Sequence, residues 1–265
     1  MRKTCLPRRL ELDSALGESV KIPIFAYPKY TGSAHGFAVS CAGLHDGKDV
    51  KPDPAHDEPR WPAMLALLAV GGLRLALPDE LAIGPAWLLL VVVAGLLIPT
   101  VWAHYSGSYT MNRVLGYVVT SVVTLDMVWS LVLLLRALVS HKLQPVQLLE
   151  SAVALWIANI LVFASWYWRL DAGGPHAREI KGAHTDGAFL FPQMTLDGQA
   201  KVEMGEDRWS PGFIDYLFLA FNTSTAFSPT DSPVLSRWAK GLMMVQSLIS
   251  LATVTVLAAR AVNIL

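Results

Sequence analysis

Apolar residues in this chain arrive in long unbroken blocks instead of amphipathic stripes, which points to helices packed in a lipid bilayer. A helix needs roughly 20 mainly apolar residues to cross about 30 Å of hydrocarbon. The blocks Pro85–Tyr105, Val114–Leu138, Leu148–Arg169 and Leu235–Val262 meet that requirement. Pro62–Leu77 is shorter, holds Gly71-Gly72, and carries Arg74 near its far end, where a long cation can snorkel to the interface. Composition agrees: 53% of the 265 residues are hydrophobic and 16% charged, against about 25% charged in soluble domains. A formal net charge of zero gives no reason to expect a nucleic-acid partner.

The expected fold class is therefore an all-α integral membrane protein with about five transmembrane helices. A short re-entrant, pore-like helix is expected before the last span. Residues 1–60 read as a polar, disordered N-terminal region, 61–170 as a four-helix transmembrane scaffold, and 171–209 as a polar loop with a small membrane-surface hairpin. Residues 210–265 hold the short helix and the last span. The basic start of the chain is not followed by the apolar core of a secretory signal. Cys5 and Cys41 read as unrelated thiols, with a single bridge between them the alternative where that region faces an oxidising compartment, and His35, His45 and His56 read as solvated loop residues. Pro99 predicts a kink in the second span. Trp61, Trp87, Trp102, Tyr105, Tyr117, Trp166, Tyr167, Trp168 and Trp238 fall near span ends, as an interfacial aromatic belt does.

Polar residues inside the spans are the first candidates for function. Asp126 lies in the middle of the third span, where an ionised carboxylate costs at least about 2.5 kcal/mol on insertion scales. Asn159 in the fourth span is the expected partner, either for packing or as an ion or proton contact. In the last span Gln246, Ser250 and Thr253 share one face at i, i+4 and i+7. That face either lines a water path or packs against the short helix.

The loop before the short helix is too long for a simple connector. Ala188-Phe-Leu-Phe-Pro is expected to fold back onto the membrane or a helix, and the segment around Asp197-Gly198 to form a small hairpin. His176, His184 and Asp186 read as solvated loop residues and not as a metal site. Nucleophile elbow, phosphate loop and zinc-helix motifs are missing, so neither an enzyme nor a cofactor is expected.

Ser210-Pro211 predicts a helix start, with the helix running to Ala226 or Phe227 before Ser228-Pro229 breaks it. Such a helix is about 24 Å long, too short for a comfortable crossing. Asn222, Thr223, Ser224 and Thr225 gather at its C-terminal end, where the helix dipole favours a cation.

Apolar helix, polar break, acid and long helix follow in the order found in the pore module of two-helix potassium channels, which this stretch resembles. In the motif FNTSTAFSPTD, Thr223, Thr225 and Asp231 stand where such channels have the pore-helix threonines and the acid after the filter. Ala226, Phe227, Ser228, Pro229 and Thr230 stand in place of the filter, without its glycines or tyrosine, so potassium selectivity is not implied. The stretch also resembles the C-terminal part of uncharacterised bacterial multi-pass inner-membrane proteins, which implies a bacterial inner membrane. The resemblance makes Asn222, Thr223, Thr225, Ser228, Thr230 and Asp231 the pore-like, ion-contact candidates.

Two readings stand side by side. One is a channel-like homo-oligomer passing monovalent cations; the other is a non-conducting membrane protein that uses the same hairpin for packing or partner binding. The lipid bilayer is a partner in both. Lys and Arg in the N-terminal region and long loop favour those segments inside, whereas Arg136, Lys142 and Arg260 favour the opposite, channel-like orientation.

Overall fold

The computed structural model describes residues 58–82, 84–140, 143–181, 184, 186–206, 209–227 and 232–264. All of them belong to one unit, Val50–Leu265; the expectations made for Cys5, Cys41, His35, His45 and His56 lie outside the described residues. Among the described residues, eight α-helices and a few 3-10 turns make up the secondary structure, and the only strand-like pairing is the antiparallel bridge between Phe189 and Val234.

In chain order the helices are α1 (Trp61–Leu73), α2 (Leu88–Tyr105), α3 (Tyr109–Ser140), α4 (Pro145–Leu170), α5 (Pro175–Lys181), α6 (Gly198–Met204), α7 (Phe213–Thr225) and α8 (Arg237–Ile264). Four of them, α2, α3, α4 and α8, are long and apolar enough to cross a membrane. The first predicted span is different: its helical stretch, Trp61–Ala76, is a shorter apolar helix that tightens into a 3-10 turn at Arg74.

Helix α4 is the centre of the bundle, packed by α1, α3, α7 and α8. Its length is buried from Leu148 to Trp168, with Ala152, Ala158 and Ala164 letting neighbours approach. Opposite it, α2, α3 and α8 keep large apolar side chains outside, among them Val91, Ile98, Leu125, Met244 and Leu248, as a surface facing lipid does. Gly71 sets the distance between α1 and α2: a Cβ there would sit 3.0 Å from the Leu90 Cα. Helix α2 remains helical through Pro99. The hydroxyl of Thr100 donates to the Leu96 carbonyl at 2.7 Å, and Asn112 of α3 donates to the Thr100 carbonyl at 2.9 Å.

Two local expectations are corrected. The predicted hairpin around Asp197-Gly198 is instead the start of α6, because the Asp197 carboxylate accepts the Ala200 amide at 2.8 Å and caps the helix. The helix expected from Ser210 starts at Phe213, where the Asp215 carboxylate accepts the Gly212 amide at 2.8 Å.

Candidate functional site

The polar face predicted on the last span packs against the short helix. Gln246, Ser250 and Thr253 are all fully buried. The Gln246 amide donates to the Ala220 carbonyl at 2.8 Å and to the Ser224 hydroxyl at 2.9 Å, and its oxygen accepts from the Tyr167 hydroxyl. Ser250 donates to the Ser224 carbonyl at 2.6 Å. Asn159 of α4 completes the network, donating to Ser224 Oγ and to the Gln246 carbonyl, both at 3.3 Å. Its Oδ1 is buried without a partner, which makes it the least satisfied member. Inside an apolar bundle such bonds fix helix register, because every broken one leaves a buried polar atom unpaired.

Asp126 is elsewhere, and both expectations about it change. Its partner is Arg74, with Nε to Oδ2 at 3.2 Å, and not Asn159. Arg74 does not snorkel; it is buried where the 3-10 turn after α1 aims it at α3. The aromatic belt is also revised. Trp61, Trp87, Trp102 and Tyr105 are exposed at helix ends, whereas Tyr167 and Trp168 are buried, bonded to Gln246 and Glu58.

The pore-like candidates occupy the last turn of α7. Thr223 is buried and donates to the Leu219 carbonyl at 2.8 Å; Thr225 is exposed and donates to the Phe221 carbonyl at 2.9 Å. Asn222 is half-buried beside them. Phe227 follows with a left-handed backbone, φ 56°, and an exposed ring. Ser228, Thr230 and Asp231 lie outside the described residues.

A second polar cluster covers the end of the bundle where α4 finishes, and its members are spread too widely in sequence to be seen there. Past Leu170 the chain reverses through three left-handed residues, Ala172 (φ 50°), Gly173 (φ 86°) and Gly174 (φ 92°). This turn leaves Asp171 fully buried. Its Oδ2 meets His184 Nε2 at 2.6 Å and accepts from the Tyr216 hydroxyl at 2.7 Å, while Oδ1 accepts the Ala188 amide.

Arg178 stacks over Tyr216, donates to the carbonyls of Trp168 and Asp171, and pairs with Glu58 at 2.8 Å. Burial pushes the Glu58 carboxyl above its ordinary value despite that guanidinium. His184, expected in solvent, is a latch in this cluster. His176 stacks on Tyr109 at 3.7 Å, and Asp186 is exposed, with φ 60°.

The same layer holds the bridge between Phe189 and Val234. Leu190 donates to the Pro233 carbonyl at 3.0 Å and Leu235 to the Ala188 carbonyl at 2.8 Å. Ala188, Phe189 and Phe191 are buried under it, as expected for a segment folding back onto helices. Among the described residues no group of three His, Cys, Asp or Glu side chains is placed to hold a metal.

Comparison of the chain with protein families, with curated proteins and with solved structures finds no match.

Proposed function

We propose that this protein is a multi-pass membrane protein that assembles as a homo-oligomer and passes monovalent cations along the segment between α7 and α8. One set of contacts supports the reading: the two ends of the stretch from Ala188 to Leu235 are joined by main-chain hydrogen bonds, while the last turn of α7 meets the middle of α8. The first turn of α7 is tied to Asp171 by Tyr216, and its last turn meets the middle of α8 at Gln246 and Ser250. Its 13 residues reach only about 20 Å. The main-chain bonds of Pro233 and Leu235 then bring the chain back beside Ala188 and Leu190. A half-length apolar helix whose flanking segments meet again is compatible with the layout of a re-entrant pore helix, which needs a protein or water lining. One such segment cannot enclose a path alone, so the reading requires several copies about an axis.

A second reading has its own support. The hydrogen-bonding groups of Gln246, Ser250 and Ser224 are spent within one protomer, so this polar face faces no open path. On that reading the hairpin is a packing element and the protein does not conduct.

The deciding experiment combines native mass in lipid nanodiscs with cation flux into proteoliposomes. An oligomer with flux whose cation preference changes on Asp231→Asn is the expected result. A monomer without flux overturns conduction and leaves the packing role.

A further inference from the structure

The end of the bundle near Arg169 holds a feature that the hairpin does not use. Two adjoining cavities of about 230 and 320 Å³ open among the ends of α1 to α5, and Arg60, Asn112, Arg169 and Pro175 line both. Arg113 and Tyr117 line the smaller; Ala63, Met64, Leu97 and Val101 give the larger an apolar wall.

The charges in these walls do not balance. Glu58 is committed to Arg178 at 2.8 Å, and Glu179 to Arg60 at 2.7 Å, with His176 also near it. Arg113 and Arg169 therefore have no carboxylate partner among the described residues. Arg113 leans on the Tyr117 ring and donates to its hydroxyl at 3.3 Å. Arg169 lies across α3 at Gly116, where a Cβ would fall 1.9 Å from Nη1, and its Nε is buried without a partner. Holding the Arg169 guanidinium in a low-dielectric wall without a counter-charge is costly, and an incoming anion that exposed Arg113 also reaches removes that cost.

We infer that this double cavity binds the phosphate group of an acidic phospholipid, with Arg113 and Arg169 on the phosphate and the apolar wall of the larger cavity along the start of an acyl chain. The chemistry fits. Arginine presents a planar fork that matches phosphate oxygens. Basic pockets between membrane helices bind anionic headgroups. A site with a cationic half and an apolar half selects an amphiphile over a free anion. Exposed Trp61, Tyr105 and Tyr109 stand at the same end, where aromatic side chains mark the headgroup level.

The test uses the full chain in detergent, with phosphatidylglycerol, phosphatidylcholine or inorganic phosphate added, and reads both bound lipid by native mass and the thermal midpoint. The inference expects phosphatidylglycerol to bind and raise the midpoint, phosphatidylcholine to do neither because its trimethylammonium group would bring a third cation against the two arginines, and Arg113→Gln to weaken phosphatidylglycerol binding by roughly tenfold. Arg113 is exposed, so that variant keeps its fold, and the double variant Arg113→Gln/Arg169→Gln should abolish the selectivity. A shift equally large with inorganic phosphate supports the phosphate site but assigns it to a soluble anion. Equal binding of both lipids, or Arg113→Gln binding phosphatidylglycerol as the parent does, overturns the inference. None of these outcomes depends on whether the protein conducts.

Discussion

Arg74 and Asp126 meet inside the bundle at 3.2 Å, joining the turn after α1 to the middle of α3. Both are shielded, with side-chain exposures of 3% and 17%. The pair is thus a tertiary tie between a helix too short to be held by length alone and one of the four long helices.

Removing Arg74 takes from the Asp126 carboxylate its guanidinium partner. Arg74→Gln alone should lower stability by about 3–5 kcal/mol, Asp126→Leu alone by less, and the double variant Arg74→Met/Asp126→Leu should recover most of the larger loss. Thermal unfolding in a fixed detergent measures all three. Additive losses in the double variant would show that the two residues act separately.

The Asp171 latch predicts an end layer that depends on one carboxylate. Asp171→Asn keeps the size of the side chain but gives His184, Tyr216 and the Ala188 amide a weaker, neutral acceptor. Its thermal midpoint at neutral pH should fall by the equivalent of about 1–3 kcal/mol. A variant as stable as the parent would remove Asp171 from the account.

Gln246→Leu tests the network between α7 and α8. It leaves the buried Tyr167 hydroxyl without its acceptor and removes the side-chain bond from α8 to the Ala220 carbonyl of α7. The stranded hydroxyl costs about 1–3 kcal/mol. Met244→Leu, on the exposed side of the same helix, should stay within about 0.5 kcal/mol of the parent. Equal effects of the two substitutions would contradict the packing described.

Neighbouring glycines in α1 should respond in opposite directions. Gly71→Ala drives a methyl against the Leu90 backbone and should cost about 1–3 kcal/mol. Gly72 has open space around it, so Gly72→Ala should be neutral or stabilise by up to about 1 kcal/mol. Matching changes in thermal midpoint at the two positions would refute the close approach of α1 and α2.

What was legible in the sequence was what repeats along one helix. The four long helices follow from apolar runs, and the face of Gln246, Ser250 and Thr253 follows from their spacing. Contacts between distant segments were not legible. Arg74 near a span end reads as a snorkelling cation until the fold brings Asp126 to it. Asp171, His184 and Tyr216 come from a helix end, a loop and a second helix, with no shared period to link them. Asp197-Gly198 reads equally as a turn or as a cap and first helical residue, and only the following Gln-Ala-Lys-Val-Glu-Met run favours the helix. The cavity at Arg169 depends on Gly116, whose role is visible only once α3 and α4 are side by side.

The bridge between Phe189 and Val234 has a consequence for sidedness. Residues joined by main-chain hydrogen bonds cannot lie on opposite faces of a bilayer. The stretch from Phe189 to Val234 therefore adds nothing to the parity of crossings, whatever path α7 takes between them. It also follows that a single accessibility tag at either end of that stretch reports the compartment of both ends.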